Sequence, residues 1–305
     1  MSAAGPTRGD LDSLANLLNV HADAGRILVD RALNNAPTPG SIRQQLLDHQ
    51  RMREISWTGV GTVGNRLTVN LITAFFGALD HIRALAIYLA GAERIGTSQA
   101  TIGRGAVEAL ARGWWLLKAS GPDDLVWRVT FLERDDLSRL AKIDPAGSLQ
   151  THESRTLDAD DLIKKADEWA AAQQLGALTN RKRGSGPTAR VDGMMSELVG
   201  QLGNAAKDRS RFAVRYYHDL SGAAHSMSHA VAGYLNHRGP GPVASNHVHL
   251  EATRSLVIDS VDTLIHVSRF VHNGLAALSA LDEATMKTWN AEHDKIFATI
   301  RALRA

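Results

Sequence analysis

Hydrophobic residues recur along this chain at steps of three and four almost from end to end. Between Asp10 and Asn35, Leu11, Leu14, Leu17, Leu18, Ile27 and Leu28 fall at helical spacing. Ala36-Pro37-Thr38-Pro39-Gly40 ends that helix. Ser41 followed by Gln44 is a capping-box signal that opens the next, to about Ser56. The same periodicity predicts helices over 65–91, 99–119, 123–143, 160–175, 192–202, 207–237, 249–281 and 283–303. Gly, Pro and polar clusters separate them at 92–97, 120–122, 144–158, 179–190 and 238–242. Strand-like alternation is confined to Val243–Leu250, around Asn246-His247-Val248-His249. The expected fold class is therefore all-α, a multi-helix bundle of about eight to ten helices. Residues 1–9 read as a disordered N-terminus and 10–305 as a single helical domain, with a hinge or mobile loop at 176–190.

Two predicted helices differ from the ordinary amphipathic kind. Residues 65–91 are apolar nearly all round, which places that helix at the centre. Asn70, Asp80, His81 and Arg83 interrupt it, so it reads as a buried helix and no membrane span is expected. The 99–119 helix carries Ile102, Ala106, Ala109, Leu110, Gly113 and Leu117 on one face, with Arg104, Glu108, Arg112 and Trp115 on the other.

Composition refines this picture in three respects. Hydrophobic residues make up 44% of the 305 and aromatics only 5%, so the core is built mainly from Leu, Ala, Ile and Val. The formal charge of +2 is close to balance, which excludes a polybasic nucleic-acid tail. The absence of cysteine excludes disulfides, thiolate nucleophiles and zinc ribbons. It fits a cytoplasmic protein, as does an N-terminus without the apolar core of a signal peptide.

Trp57-Thr58-Gly59-Val60-Gly61-Thr62-Val63-Gly64 matches G-x-G-x-x-G before a helix. The preceding residues are charged and helical in pattern, so no βαβ unit surrounds the motif. A connector is expected there, with an anion at the helix N-terminus as the milder functional reading.

The richest chemistry lies in 207–237. Read as a helix, it places Phe212, Tyr216, Leu220, Met227, Val231 and Tyr234 on one side. Arg211, Arg215, His218, Ser221, His225 and His229 fall on the other. His225 and His229 stand at i, i+4, a spacing at which two imidazoles reach one metal, with Glu108, His81 or Asp80 as further ligands. No Glu-x-x-His pair or H-E-x-x-H accompanies them, and no metal or other cofactor is assigned. The competing reading is a polar helix face turned to water. Ser221-Gly222-Ala223-Ala224 weighs against it, because small residues admit another backbone or a ligand. Arg104 and Glu108, also i, i+4, form either a surface pair or a buried couple that orients Ser221 or an imidazole.

Arg104 and Glu108, followed by Tyr216, Leu220, Ser221 and His225, resemble the R-x3-E and Y-x3-LS-x3-H helices of uncharacterised bacterial helical families. Those families are similar to the HEPN group, which includes RNases of toxin and defence systems. Arg211 and His218 have the spacing of the HEPN Arg-to-His signature. The resemblance implies a homodimer and ribonuclease chemistry. His218 or His225 would take the proton from a ribose 2′-hydroxyl, and Arg211 or Arg215 would steady the phosphate, with Arg181-Lys182-Arg183 meeting the RNA backbone. Two alternatives stand beside it. One is an enzyme for a small-molecule ligand, with Phe75, Phe76 and Tyr88 walling a pocket whose mouth holds the His stripe. The other is an interaction module without turnover.

Overall fold

A computed structural model describes residues 5–93, 95–143, 149–150, 156–157, 159–178, 186–202, 217, 220–221, 235–236, 249–250 and 252–305. The chain is an all-α multi-helix bundle. Ten α-helices lie among the described residues: α1 (Arg8–Val29), α2 (Ile42–Asp48), α3 (Gln50–Arg53), α4 (Val63–Gly91), α5 (Ser98–Leu117), α6 (Pro122–Ile143), α7 (Ala159–Ala172), α8 (Pro187–Leu202), α9 (Arg254–Ser279) and α10 (Glu283–Arg304). Among the described residues an isolated antiparallel bridge pairs Ile55 with Thr62, and two further antiparallel pairings are two residues long. These two join Leu149–Gln150 to Thr156–Leu157, and Leu235–Asn236 to His249–Leu250.

Local chemistry sets the helix ends. Thr7 and Asp10 form a reciprocal capping box at the start of α1, so residues 7–9 belong to an ordered helix start and not to a disordered tail. Asp10 is also gripped by both ends of the Arg254 guanidinium, at 2.9 and 3.0 Å, which ties α1 to the start of α9. Ser41 caps α2 by accepting from Gln44 N at 3.0 Å. The helix expected to reach Ser56 breaks at His49, whose extended backbone separates α2 from α3. Arg43 is buried and donates to the carbonyls of Ala32, Leu33 and Asn35, closing the π turn Asp30–Asn34 that follows α1.

The core sits where α4 packs between α1 and α5, with α9 closing against α1 and α5. By length and composition α4 is apolar enough to cross a membrane. Here its Leu67, Leu71, Phe75, Leu79 and Ile82 are buried against those neighbours. Phe75 lies over Gly113, where a Cβ would approach its ring to 3.1 Å, so α4 and α5 cross closely. Because α5 is covered on a second side by α6 and α8, its expected polar face is not all polar. Trp115 is buried, edge-on to Trp127 and Phe131 at 6.1 and 5.9 Å.

The glycine motif is a tight turn. Gly59 and Gly61 have φ of 73° and 70°, and Ser56 N donates to Gly61 O at 3.0 Å. A Cβ at Gly64 would stand 2.9 Å from Leu47 and 3.2 Å from the Met52 carbonyl. Backbone needs therefore account for all three glycines. Trp57 from the same turn donates to Glu133 Oε2 at 2.7 Å, and Arg66 and Asn70 meet Oε1 at 2.7 and 3.0 Å.

Candidate functional site

Arg104 and Glu108 lie one turn apart on α5, and Arg104 Nε donates to Glu108 Oε1 at 2.8 Å. The same oxygen accepts the phenol of Tyr217 at 2.9 Å. Tyr217 is buried, as is Leu220 one turn later, while Ser221 is helical and half-buried. Thr188, in the first turn of α8, reaches the phenol from the other side. The Tyr217 phenol thus joins Glu108 of α5 to Thr188 at the start of α8.

The electrostatics follow from that crowding. Burial and the Glu108 hydrogen bond push the Tyr217 phenol up, so it stays protonated and donates. Glu108 in turn raises the Arg104 guanidinium, which remains a fixed cation. His81 of α4 stands over Gly105 beside this pair. A Cβ there would come within 2.6 Å of the imidazole, so glycine is what lets the ring approach. Close by, α8 meets α5 through Trp114 Nε1, which donates to Glu197 at 3.1 Å, and through Lys118, which pairs with the same carboxylate at 2.6 Å.

The predicted helix over 207–237 does not run to its end, because Leu235 and Asn236 are extended and paired. Arg211, Arg215, His218, His225 and His229 lie outside the described residues. Of the predicted site, the structure brings Arg104 and Glu108 together, with Tyr217 on the same carboxylate. The hydrogen bond to Glu108 comes from Tyr217, a residue the pattern did not single out, rather than from Ser221. The phenol is one position from Tyr216, and both Tyr217 and Leu220, at i+3, are buried. No group of three or more His, Asp or Glu among the described residues is arranged to hold a metal. Phe75 is packed in the core against His272, with ring centres 5.0 Å apart, and does not wall a pocket.

A second constellation escaped the sequence reading altogether. His21, His272 and His293 are buried together between α1, α9 and α10. His293 Nδ1 lies 2.8 Å from the Trp289 carbonyl, which only accepts, so Nδ1 carries the proton. His293 Nε2 therefore accepts from His21 Nδ1 at 2.9 Å. His21 Nε2 then accepts from the Ser268 hydroxyl at 2.7 Å. His272 donates through Nδ1 to the Ser268 carbonyl at 2.8 Å, and its buried Nε2 has no partner among the described residues. One tautomer set satisfies the chain with all three rings neutral. Burial depresses all three, His272 and His293 to about 4.

No family model matches the chain, and neither a curated protein nor a solved structure matches it.

Proposed function

We propose that this is a HEPN-like protein that acts on RNA where α5 meets the 207–237 segment. The supporting observation is the Tyr217–Glu108–Arg104 junction, which fixes the middle of the histidine-bearing stretch against α5. Steps of four in sequence lead from Tyr217 through Ser221 to His225, and His218 adjoins the anchor. In this reading Arg104, Glu108 and Tyr217 are positioning residues, and Ser221 borders the site.

The chemistry is transesterification within the RNA. An imidazole of His218 or His225 takes the 2′-hydroxyl proton, and that oxygen bonds to phosphorus. The bond to the 5′-oxygen breaks, and that oxygen leaves with a proton from solvent or a second imidazolium. Arg211 or Arg215 holds the charge gathering on the phosphate. The products carry a 2′,3′-cyclic phosphate and a 5′-hydroxyl. A homodimer, with two such segments facing one another, completes the proposal.

Incubation of the purified protein with single-stranded RNA tests it. Cleavage with cyclic phosphate ends is expected, with none on DNA of the same sequence and loss in His218→Ala or His225→Ala. Intact RNA at high enzyme concentration would overturn the nuclease reading, and RNA binding without cleavage would leave only the non-catalytic module.

A further inference from the structure

Between α2 and the turn that joins α5 to α6, the packing of the bundle is incomplete. A cavity of about 200 Å³ lies there, bordered by side chains of α2, α4, α5, α6 and α9. Leu67, Leu71, Leu116 and Leu125 form its floor, none of them more than 5% exposed. Ile42, Leu46, Leu117 and Leu278 form its rim. Ile42 is 55% exposed and the other three are half-buried, so the apolar wall opens to solvent along α2. Gly121 lies on the same wall, and a Cβ built on it would meet nothing within 4 Å. The open space therefore reaches the α5–α6 turn.

The space persists because the elements around it are pinned from outside. Arg43 ties α2 to the carbonyls of Ala32, Leu33 and Asn35, and Leu47 is wedged against Gly64. These anchors keep α2 from sliding inward to seat Ile42 and Leu46 on the leucine floor. Across the cavity, Asp124 accepts from Ser120 N and Oγ at 2.9 and 3.2 Å and pairs with Arg128 at 2.9 Å, which fixes the turn.

The lining selects the guest. Among the described residues no charged side chain lines the cavity, and its one polar side chain, Ser120, already donates to Asp124. Water needs two to four polar partners to settle in a cavity, and this wall is too apolar to supply them. A leucine-lined cavity of about 150 Å³ stays dry and takes up benzene, so this one accommodates roughly six to eight carbons. The rim lets a chain enter end-on and keep its head in water. With no cation in the wall, a carboxylate head would lose hydration without gaining a partner.

We infer that this cavity binds an uncharged amphiphile by its alkyl chain, with roughly six to eight carbons on the floor of Leu67, Leu71, Leu116 and Leu125 and the head in water beside Ile42. The inference uses none of the residues of the Tyr217 junction and is independent of RNA cleavage.

Titration of the methyl-labelled full chain with straight-chain alcohols, followed by NMR, tests it. 1-Octanol is expected to shift the methyls of Ile42, Leu46 and Leu278 saturably at one site per chain, while exposed Ile27 and Ile87 stay unmoved. Affinity should rise roughly fourfold per methylene from 1-butanol to 1-octanol and then level off. Octanoate should bind more weakly than 1-octanol by roughly tenfold or more. Gly121→Leu, which fills the open space, should weaken 1-octanol by roughly tenfold or more with its melting temperature unchanged or higher. Ile42→Glu, at the exposed first position of α2, should also weaken it without loss of stability. The inference is overturned by the absence of saturable shifts, by equal shifts at Ile27 and Ile87, or by wild-type affinity in both variants. Affinity still climbing at 1-dodecanol would mean a surface and not a cavity, and tighter binding of octanoate would overturn the uncharged head. Shifts of the same methyls with protein concentration alone would put a second copy in the cavity and overturn the ligand.

Discussion

The Tyr217 phenol donates to Glu108 Oε1 across 109 residues of sequence, at 2.9 Å. Removing only that oxygen, in Tyr217→Phe, should cost about 1 kcal/mol of stability, the net worth of one partly buried hydrogen bond to a charged acceptor. A double-mutant cycle with Glu108→Ala, read by denaturant unfolding, should return a coupling of similar size. Full additivity would mean that the contact contributes nothing.

The histidine cluster makes the fold acid-sensitive in a defined window. The unfolded chain binds protons on these three rings near pH 6.5, whereas His272 and His293 take theirs only near pH 4 and His21 stays well below its ordinary value. The unfolded state therefore holds more protons between those limits. The stability contributed by the neutral rings is intact above pH 6.5 and is lost as pH falls toward 4, at roughly 1.4 kcal/mol per pH unit for each ring. Arg269 adds to the depression of His21 and His293, and Asp294 opposes it at His293. Unfolding free energies at pH 7, 6 and 5 should show this slope, and His293→Gln should make it shallower. A flat profile from pH 7 to 5 would contradict the buried neutral network.

Two glycines against imidazoles should respond differently to alanine. At Gly25 a Cβ would stand 2.8 Å from Leu79 and 3.3 Å from His272 Nε2, inside the core. Gly25→Ala is expected to destabilise by about 2 kcal/mol through overpacking. At Gly105 the obstacle is the exposed His81 ring, which can swing away. Gly105→Ala should change stability by less than about 1 kcal/mol, because helix propensity offsets the displacement. Thermal melts of the two variants provide the comparison.

Glu133 collects Trp57, Arg66 and Asn70 while only 7% exposed. Glu133→Ala strands those donors and should cost about 3 kcal/mol. It should also free the glycine turn, which a shift in Trp57 emission would report. An unchanged unfolding midpoint would show that the turn is held by other contacts.

Helix positions were legible because their causes are local. Ser41 and Pro122 begin helices where the sequence says they do, and the periodicity of 65–91 corresponds to α4 within two residues. Side-chain assignment failed where an element has more than one neighbour. Trp115 reads as polar-face by period, yet α6 and α8 bury it. The site was legible in part. Arg104 and Glu108 stood out by spacing, but choosing Tyr217 over its neighbour Tyr216 needs the rotation of that helix turn against α5. His21, His272 and His293 each sit within an apolar stripe, beside Leu18, Val271 and Ile296, and that was the signal available for them.

The sequence alone determined an all-α bundle, the starts of α2, α4 and α6 to within two residues, and the absence of cysteine chemistry, since propensity, capping and period act within a turn or two of chain. Tertiary structure decided which polar groups are partnered. Helices far apart in sequence brought three histidines and a serine into one neutral chain, gave Glu108 its phenol, and laid Arg190 over Trp115. Such outcomes depend on which helix faces meet and how much water they exclude, and no local pattern encodes that.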